Sequence, residues 1–120
     1  MNKPLLAIET IVAVPVMTKR EKLMRLAKLA RHCTHNLFAF NRLEYISAAE
    51  LEHLYHPLSV FALANADPIF RDAGLKSDRV GDAKRFFGLS SDELHAFSCD
   101  CGGHVDNERM ARRIETIAST

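Results

Sequence analysis

Asn36-Leu-Phe-Ala-Phe-Asn-Arg-Leu-Glu-Tyr-Ile46 is the stretch on which the fold class turns. Leu37, Phe38, Phe40, Leu43 and Ile46 fall near a 3.6-residue period, which predicts a helix over 36–46. With that segment helical, the rest of 18–120 reads as helices joined by short connections, and the expected class is all-α.

Working outward, Ser47-Ala-Ala-Glu50 has the spacing of a capping box and opens a short helix that must stop before His56-Pro57. The run from 58 to 64 is apolar enough to be buried nearly all round. Asp67-Pro68 reads as an N-cap followed by a first-turn proline, and Gly74 as the stop. A further helix starts at Ser77 or Asp78 and ends at Gly88. Ser90-Ser-Asp-Glu93 is another capping box, opening a helix to about Phe97, and Asp106 caps a last helix with Met110, Ile114 and Ile117 on one face. Towards the N-terminus, Thr18-Lys-Arg-Glu21 is a third capping box. The helix it opens runs to about Cys33, with Leu23, Leu26, Ala27, Ala30 and Cys33 on the apolar face and Lys28 opposite. The sum is an irregular bundle of about seven short helices forming a single helical domain over 18–120. Residues 1–17 form an extended apolar N-terminal arm, because the Val-rich run from Ile11 to Met17 contains Pro15. An arm with no strand partner must pack on the helices or pair with the same arm of a second chain, which predicts a homodimer.

The composition fits one globular domain: 120 residues, 48% hydrophobic and 26% charged, with only 5 Gly and 4 Pro. Such a chain builds a core without disulfides or a structural metal, and it is too apolar for disorder. The net charge of +1 argues against a protein that coats nucleic acid, since affinity there comes from phosphate neutralisation. The basic excess is local, at Lys19, Arg20, Lys22, Arg25, Lys28 and Arg31, opposed only by Glu21. These six are the candidate nucleic-acid or partner surface. An odd count of 3 cysteines favours free thiols in a reducing compartment, so the expected location is cytoplasmic. The apolar start is interrupted by Glu9 and is too short for a membrane span.

All nine His and Cys residues fall in three places: His32, Cys33 and His35; His53 and His56; and His95, Cys99, Cys101 and His104. The third group is the candidate metal site. His95 and Cys99, four apart, would share a helical face, with Cys101 and His104 brought round by Gly102-Gly103, and imidazole with thiolate is the donor set zinc prefers. The single residue between Cys99 and Cys101 makes one ion hard to share. The competing reading has His95 on the surface, Cys99 as a small core hydrophobe and Cys101 in a loop. Cys99, at a helix C-terminus beside Asp100, lies in the wrong field for a reactive thiolate. His53 and His56 read as exposed, and His32 and His35 as suited to a helix C-terminus.

Residues 83–97 resemble a helix-turn-helix, with Ala83, Phe87, Leu89, Leu94 and Phe97 at the positions such a unit buries. That resemblance implies a DNA-binding regulator using residues 78–98. Its recognition helix, however, would offer Ser91, Asp92, Glu93 and His95 without a single Lys or Arg. No Gly-rich phosphate loop, G-x-S-x-G, H-E-x-x-H or EF-hand pattern occurs, and no catalytic residue is assigned. The leading expectation is therefore a cytoplasmic helical protein-interaction module that self-associates and has no catalysis of its own. The alternatives are the DNA-binding regulator and a zinc- or redox-responsive protein built on the His/Cys cluster. No cofactor is required, zinc being the one candidate.

Overall fold

The computed structural model describes residues 16–100 and 102–120. Along the chain run α1 (Lys19–Arg31), β1 (Leu37–Asn41), a 3₁₀ turn (Leu43–Tyr45), α2 (Ala48–Leu51), α3 (Val60–Asn65), α4 (Pro68–Asp72), α5 (Val80–Phe87), a 3₁₀ helix (Glu93–Phe97), β2 (Ser98–Cys99), β3 (Gly103–Val105) and α6 (Asn107–Ala118). The all-α expectation is overturned. Six α-helices rather than about seven are found among the described residues, together with a three-stranded mixed sheet. Of the arm expected over 1–17, residues 1–15, and with them its pairing in a dimer, lie outside the described residues; Val16 is exposed and Met17 packs against the core.

The correction begins at 36–46. Its first half is not helix but β1, the central strand of a sheet ordered β2-β1-β3. Phe40 and Asn41 pair in parallel with Ser98 and Cys99, and Leu37, Phe38 and Ala39 pair antiparallel with Val105, His104 and Gly103. The edge of Phe38 away from β3 is closed by Ser59, with the Phe38 N–H donating to the Leu58 carbonyl at 2.9 Å. Leu37 and Ala39 are fully buried and Phe40 is 6% exposed, so apolar groups occupy both faces and the polar alternation that identifies a strand is lost. Arg42, at φ 46°, ends the strand in a left-handed turn, and the Ser98 hydroxyl accepts from the Leu43 N–H at 2.9 Å. The connection from β2 to β3 passes close over β1: a Cβ on Gly102, at φ 76°, would stand 3.6 Å from Asn41 Cβ. Glycine there meets both the backbone angle and the close approach.

The capped helices follow their local chemistry. Thr18 and Glu21 cap each other reciprocally at the start of α1, and Asp106 accepts from the Arg109 N–H at the start of α6. Gly88 ends α5 in the left-handed conformation. The segment after the Ser90–Glu93 box differs from expectation, being a five-residue 3₁₀ helix that runs straight into β2. The core lies between α1 and α6, where Leu23, Leu26, Ala27 and Ala30 meet Met110, Ala111 and Ile114, all fully buried. Phe61 and Phe97 join it with ring centroids 4.8 Å apart, and Phe70, Phe86 and Phe87 pack edge to face beside them.

Candidate functional site

Most of the basic side chains of α1 are held by the protein itself. Lys19 pairs with Glu93 at 2.8 Å, the Arg20 guanidinium donates to the Ala118 carbonyl at 3.1 Å, and Lys22 donates to the Phe86 carbonyl at 2.8 Å with its ammonium 4.1 Å from that ring's centroid. Arg25 grips Asp67 with two hydrogen bonds. Arg31 spans Glu108 and Glu115 with four, at 2.7 to 3.1 Å, and these carboxylates hold its guanidinium even more firmly protonated than usual. Lys28 is the member of the six with no such partner among the described residues. The basic face thus ties α1 to α4, α5, the 3₁₀ helix and α6.

Of the four candidate zinc ligands, the three described ones, His95, Cys99 and His104, lie on three different elements. His95 lies on the 3₁₀ helix and Cys99 on a strand, so they do not share the helical face the sequence suggested. Cys99 pairs with Asn41 on one edge of β1 and His104 with Phe38 on the other. Two strand spacings across the sheet, roughly 10 Å, and a three-residue offset along β1 therefore separate their backbones. The Cys99 thiol faces the Ala39 carbonyl at 3.8 Å. Cys101 lies outside the described residues. Among the described residues, no three His, Cys, Asp or Glu side chains come together as a metal-holding group.

What the fold does assemble around His95 is a carboxylate–imidazole pair. His95 Nδ1 is 2.7 Å from Glu44 Oε2, across 51 residues of sequence. The Glu44 side chain is 14% exposed and that of His95 is 66% exposed. Glu44's own backbone amide, with help from His95, holds its carboxyl below the usual carboxylate range against the opposing effect of burial. An ionised carboxylate only accepts, so Nδ1 carries the proton and Nε2 turns outward. The other oxygen, Oε1, is buried and has no hydrogen-bond partner among the described residues. Both ends of the pair are braced. Ser98 holds the Leu43 N–H just before Glu44, and the Arg113 guanidinium donates to the carbonyls of Ala96 and Ser98 just after His95. A left-handed non-glycine residue, Arg42, stands two positions before Glu44 and makes the turn that follows β1. Asp92, Glu93, His95, Ala96, Arg113, Thr116 and Ile117 line a cleft of about 350 Å³ beside the imidazole. Sequence reading singled out His95 but missed Glu44, for which no local spacing gives a signal.

Two other histidine contacts are structural. The Cys33 sulfur sits 3.4 Å from Nδ1 and 3.7 Å from Nε2 of His35, which places it off the lone-pair axis of both nitrogens and leaves the thiol without an aligned base. His56 stacks on Phe38 with ring centroids 3.8 Å apart and planes 9° from parallel, and its Nδ1 accepts from the Leu58 N–H at 3.0 Å. Compared with known proteins, the chain matches no family model, no curated protein and no solved structure.

Proposed function

We propose that this chain is a cytoplasmic protein-interaction module, without catalysis of its own, that associates with a second copy of itself. The observation that carries the reading is the segment 54–59. It has little regular structure, yet it presents Tyr55 at 54% and Leu58 at 37% exposure on either side of Pro57. It is also firmly anchored: the Leu54 carbonyl accepts from Val80 N–H at 2.9 Å, the Leu58 carbonyl accepts from Phe38 N–H at 2.9 Å, His56 stacks on Phe38, and the Arg79 guanidinium lies 5.8 Å from the Tyr55 ring centroid. Apolar side chains on a pre-ordered backbone lose little entropy on binding, and a two-fold contact brings such a patch against its own copy. Half-buried free thiols at Cys33 and Cys99 suit a reducing compartment, and no helix of the described residues is long and apolar enough to cross a membrane.

The test is molar mass in solution across a concentration series for the full chain and for a Tyr55→Ser/Leu58→Ser double variant. The expected result is a dimer that the double variant shifts to monomer while circular dichroism stays the same. A full-length chain that stays monomeric at high concentration, or a double variant that assembles as the parent does, overturns the reading.

A further inference from the structure

We propose that His95 and Asp92 form a binding site for a borderline divalent cation such as Ni²⁺, Cu²⁺ or Zn²⁺, with Glu44 as the outer carboxylate that orients the imidazole. The site differs in its partners from the cysteine-based cluster suggested by the sequence.

Three features point the same way. A metal-bound histidine characteristically donates its second ring N–H to a carboxylate, which fixes the tautomer and raises the basicity of the free nitrogen. Glu44 supplies that carboxylate at 2.7 Å, leaving Nε2 of a largely exposed ring for the ion. Next, the His95 N–H donates to the Asp92 carbonyl at 3.1 Å, closing a 3₁₀ turn, and side chains three apart on such a turn eclipse one another. The exposed carboxylate of Asp92 and the imidazole of His95 therefore stand on one face, and both line the same cleft. Finally, Glu44 Oε1 is buried with no hydrogen-bond partner among the described residues, and a cation on the far side of the ring would strengthen the imidazole N–H that Oε2 accepts.

Beside the imidazole the cleft carries the exposed Asp92 carboxylate, Glu93 paired with Lys19, and Arg113, whose guanidinium is held toward the Ala96 and Ser98 carbonyls. Two protein ligands leave the remaining coordination positions to water, so the site is weaker than a closed structural zinc site. Imidazole plus carboxylate suits Ni²⁺, which avoids the thiol preference of zinc during the test.

The experiment titrates the full chain with Ni²⁺ alone, following heat and backbone ¹H–¹⁵N spectra. A saturable event is expected, with paramagnetic broadening centred on residues 92–96. His95→Gln removes it, and Glu44→Gln and Asp92→Asn each weaken it by about tenfold, the size of loss typical for ligand-orienting groups. Asp92→Asn changes an exposed side chain and keeps the test valid should Glu44→Gln disturb folding. Broadening centred on His53, His56 or the cysteines, binding that survives His95→Gln, or an Asp92→Asn variant that binds as the parent does each overturns the proposal.

Discussion

The carboxylate of Asp67 accepts from Arg25 Nε at 2.6 Å and from Nη2 at 2.9 Å, so that one N-cap residue of α4 is clasped by the middle of α1. The Asp67 side chain is 7% exposed and that of Arg25 is 34% exposed. Arg25→Ala leaves a mostly buried charge alone, and allowing for the half-open arginine the expected loss is about 1–3 kcal/mol in urea unfolding at neutral pH. The Arg25 hydrogen bonds hold the Asp67 carboxyl below its ordinary value of 3.8. A lowered folded-state value means the stabilisation is present above the ordinary aspartate range and is lost as pH falls through the folded value. Asp67→Asn is accordingly expected to cost stability at pH 7 and to flatten the acid limb of the stability curve below about pH 4.

Arg31 makes the larger number of hydrogen bonds, yet it is expected to matter less. Its clasp on Glu108 and Glu115 lies at the surface, where solvent and salt screen it. Leu26, fully buried between α1 and α6, is expected to cost about 2–5 kcal/mol on truncation to Ala. Unfolding midpoints should place Leu26→Ala well below Arg31→Ala. Raising salt should narrow the gap between Arg31→Ala and the parent but leave Leu26→Ala unmoved.

Gly88 and Gly81 make opposite demands. A Cβ at Gly88 finds open space, with Lys19 Cδ nearest at 3.8 Å, but φ 68° is strained for any side chain, so Gly88→Ala should destabilise by about 1 kcal/mol. Gly81 has ordinary helical geometry, and its Cβ would meet only the carboxylate end of Glu52, at 2.5 Å, which can swing away at the expense of its exposed pairing with Arg85. Helix propensity gains about 1 kcal/mol there, so Gly81→Ala is expected to be neutral or stabilising. Thermal melts that rank the two the other way would contradict this account of the α5 ends.

Duplex DNA should be retained only weakly and without sequence preference. Of the six cations in α1, five are engaged by carboxylates or carbonyls of the fold, and the second arm of the helix-turn-helix-like segment is a short 3₁₀ helix whose Glu93 and His95 are both paired. Fluorescence anisotropy over a salt series should show binding that disappears by physiological ionic strength. Nanomolar affinity for one sequence at that salt would contradict it.

Several helix starts were readable because a cap is a contact between residues three apart, although Asp67 makes no side-chain cap bond and α5 begins at Val80 rather than at Ser77 or Asp78. Thr18 with Glu21 and Ser90 with Glu93 make both bonds of the expected box, Asp106 accepts from the Arg109 N–H, and Ser47 accepts from the Glu50 N–H but gives its hydroxyl, not its own N–H, to the Glu50 carboxylate. The strand at 37–41 was not readable because Leu37, Phe38 and Phe40 satisfy a helical period as well as an extended one. Its partners are fragments of two and three residues some sixty positions away, too short to carry a period of their own. The same distance hid the site. His95 was conspicuous as a chemical group, but its setting depends on Glu44, which only the fold brings near. The basic helix misled for a related reason: the partners of Arg25 and Arg31 stand 42 to 84 residues further along the chain.

The pairing of α1 with α6 also orders events during synthesis. α1 leaves the ribosome with Leu23 and Leu26 uncovered, and their cover, Met110 and Ile114, follows more than eighty residues later. β1 likewise waits for residues 98–105 before both its edges are filled. A nascent chain therefore carries an unburied apolar helix face and an open strand edge until residues 98–118 have been made. Products of premature termination should be claimed by chaperones or proteases rather than fold.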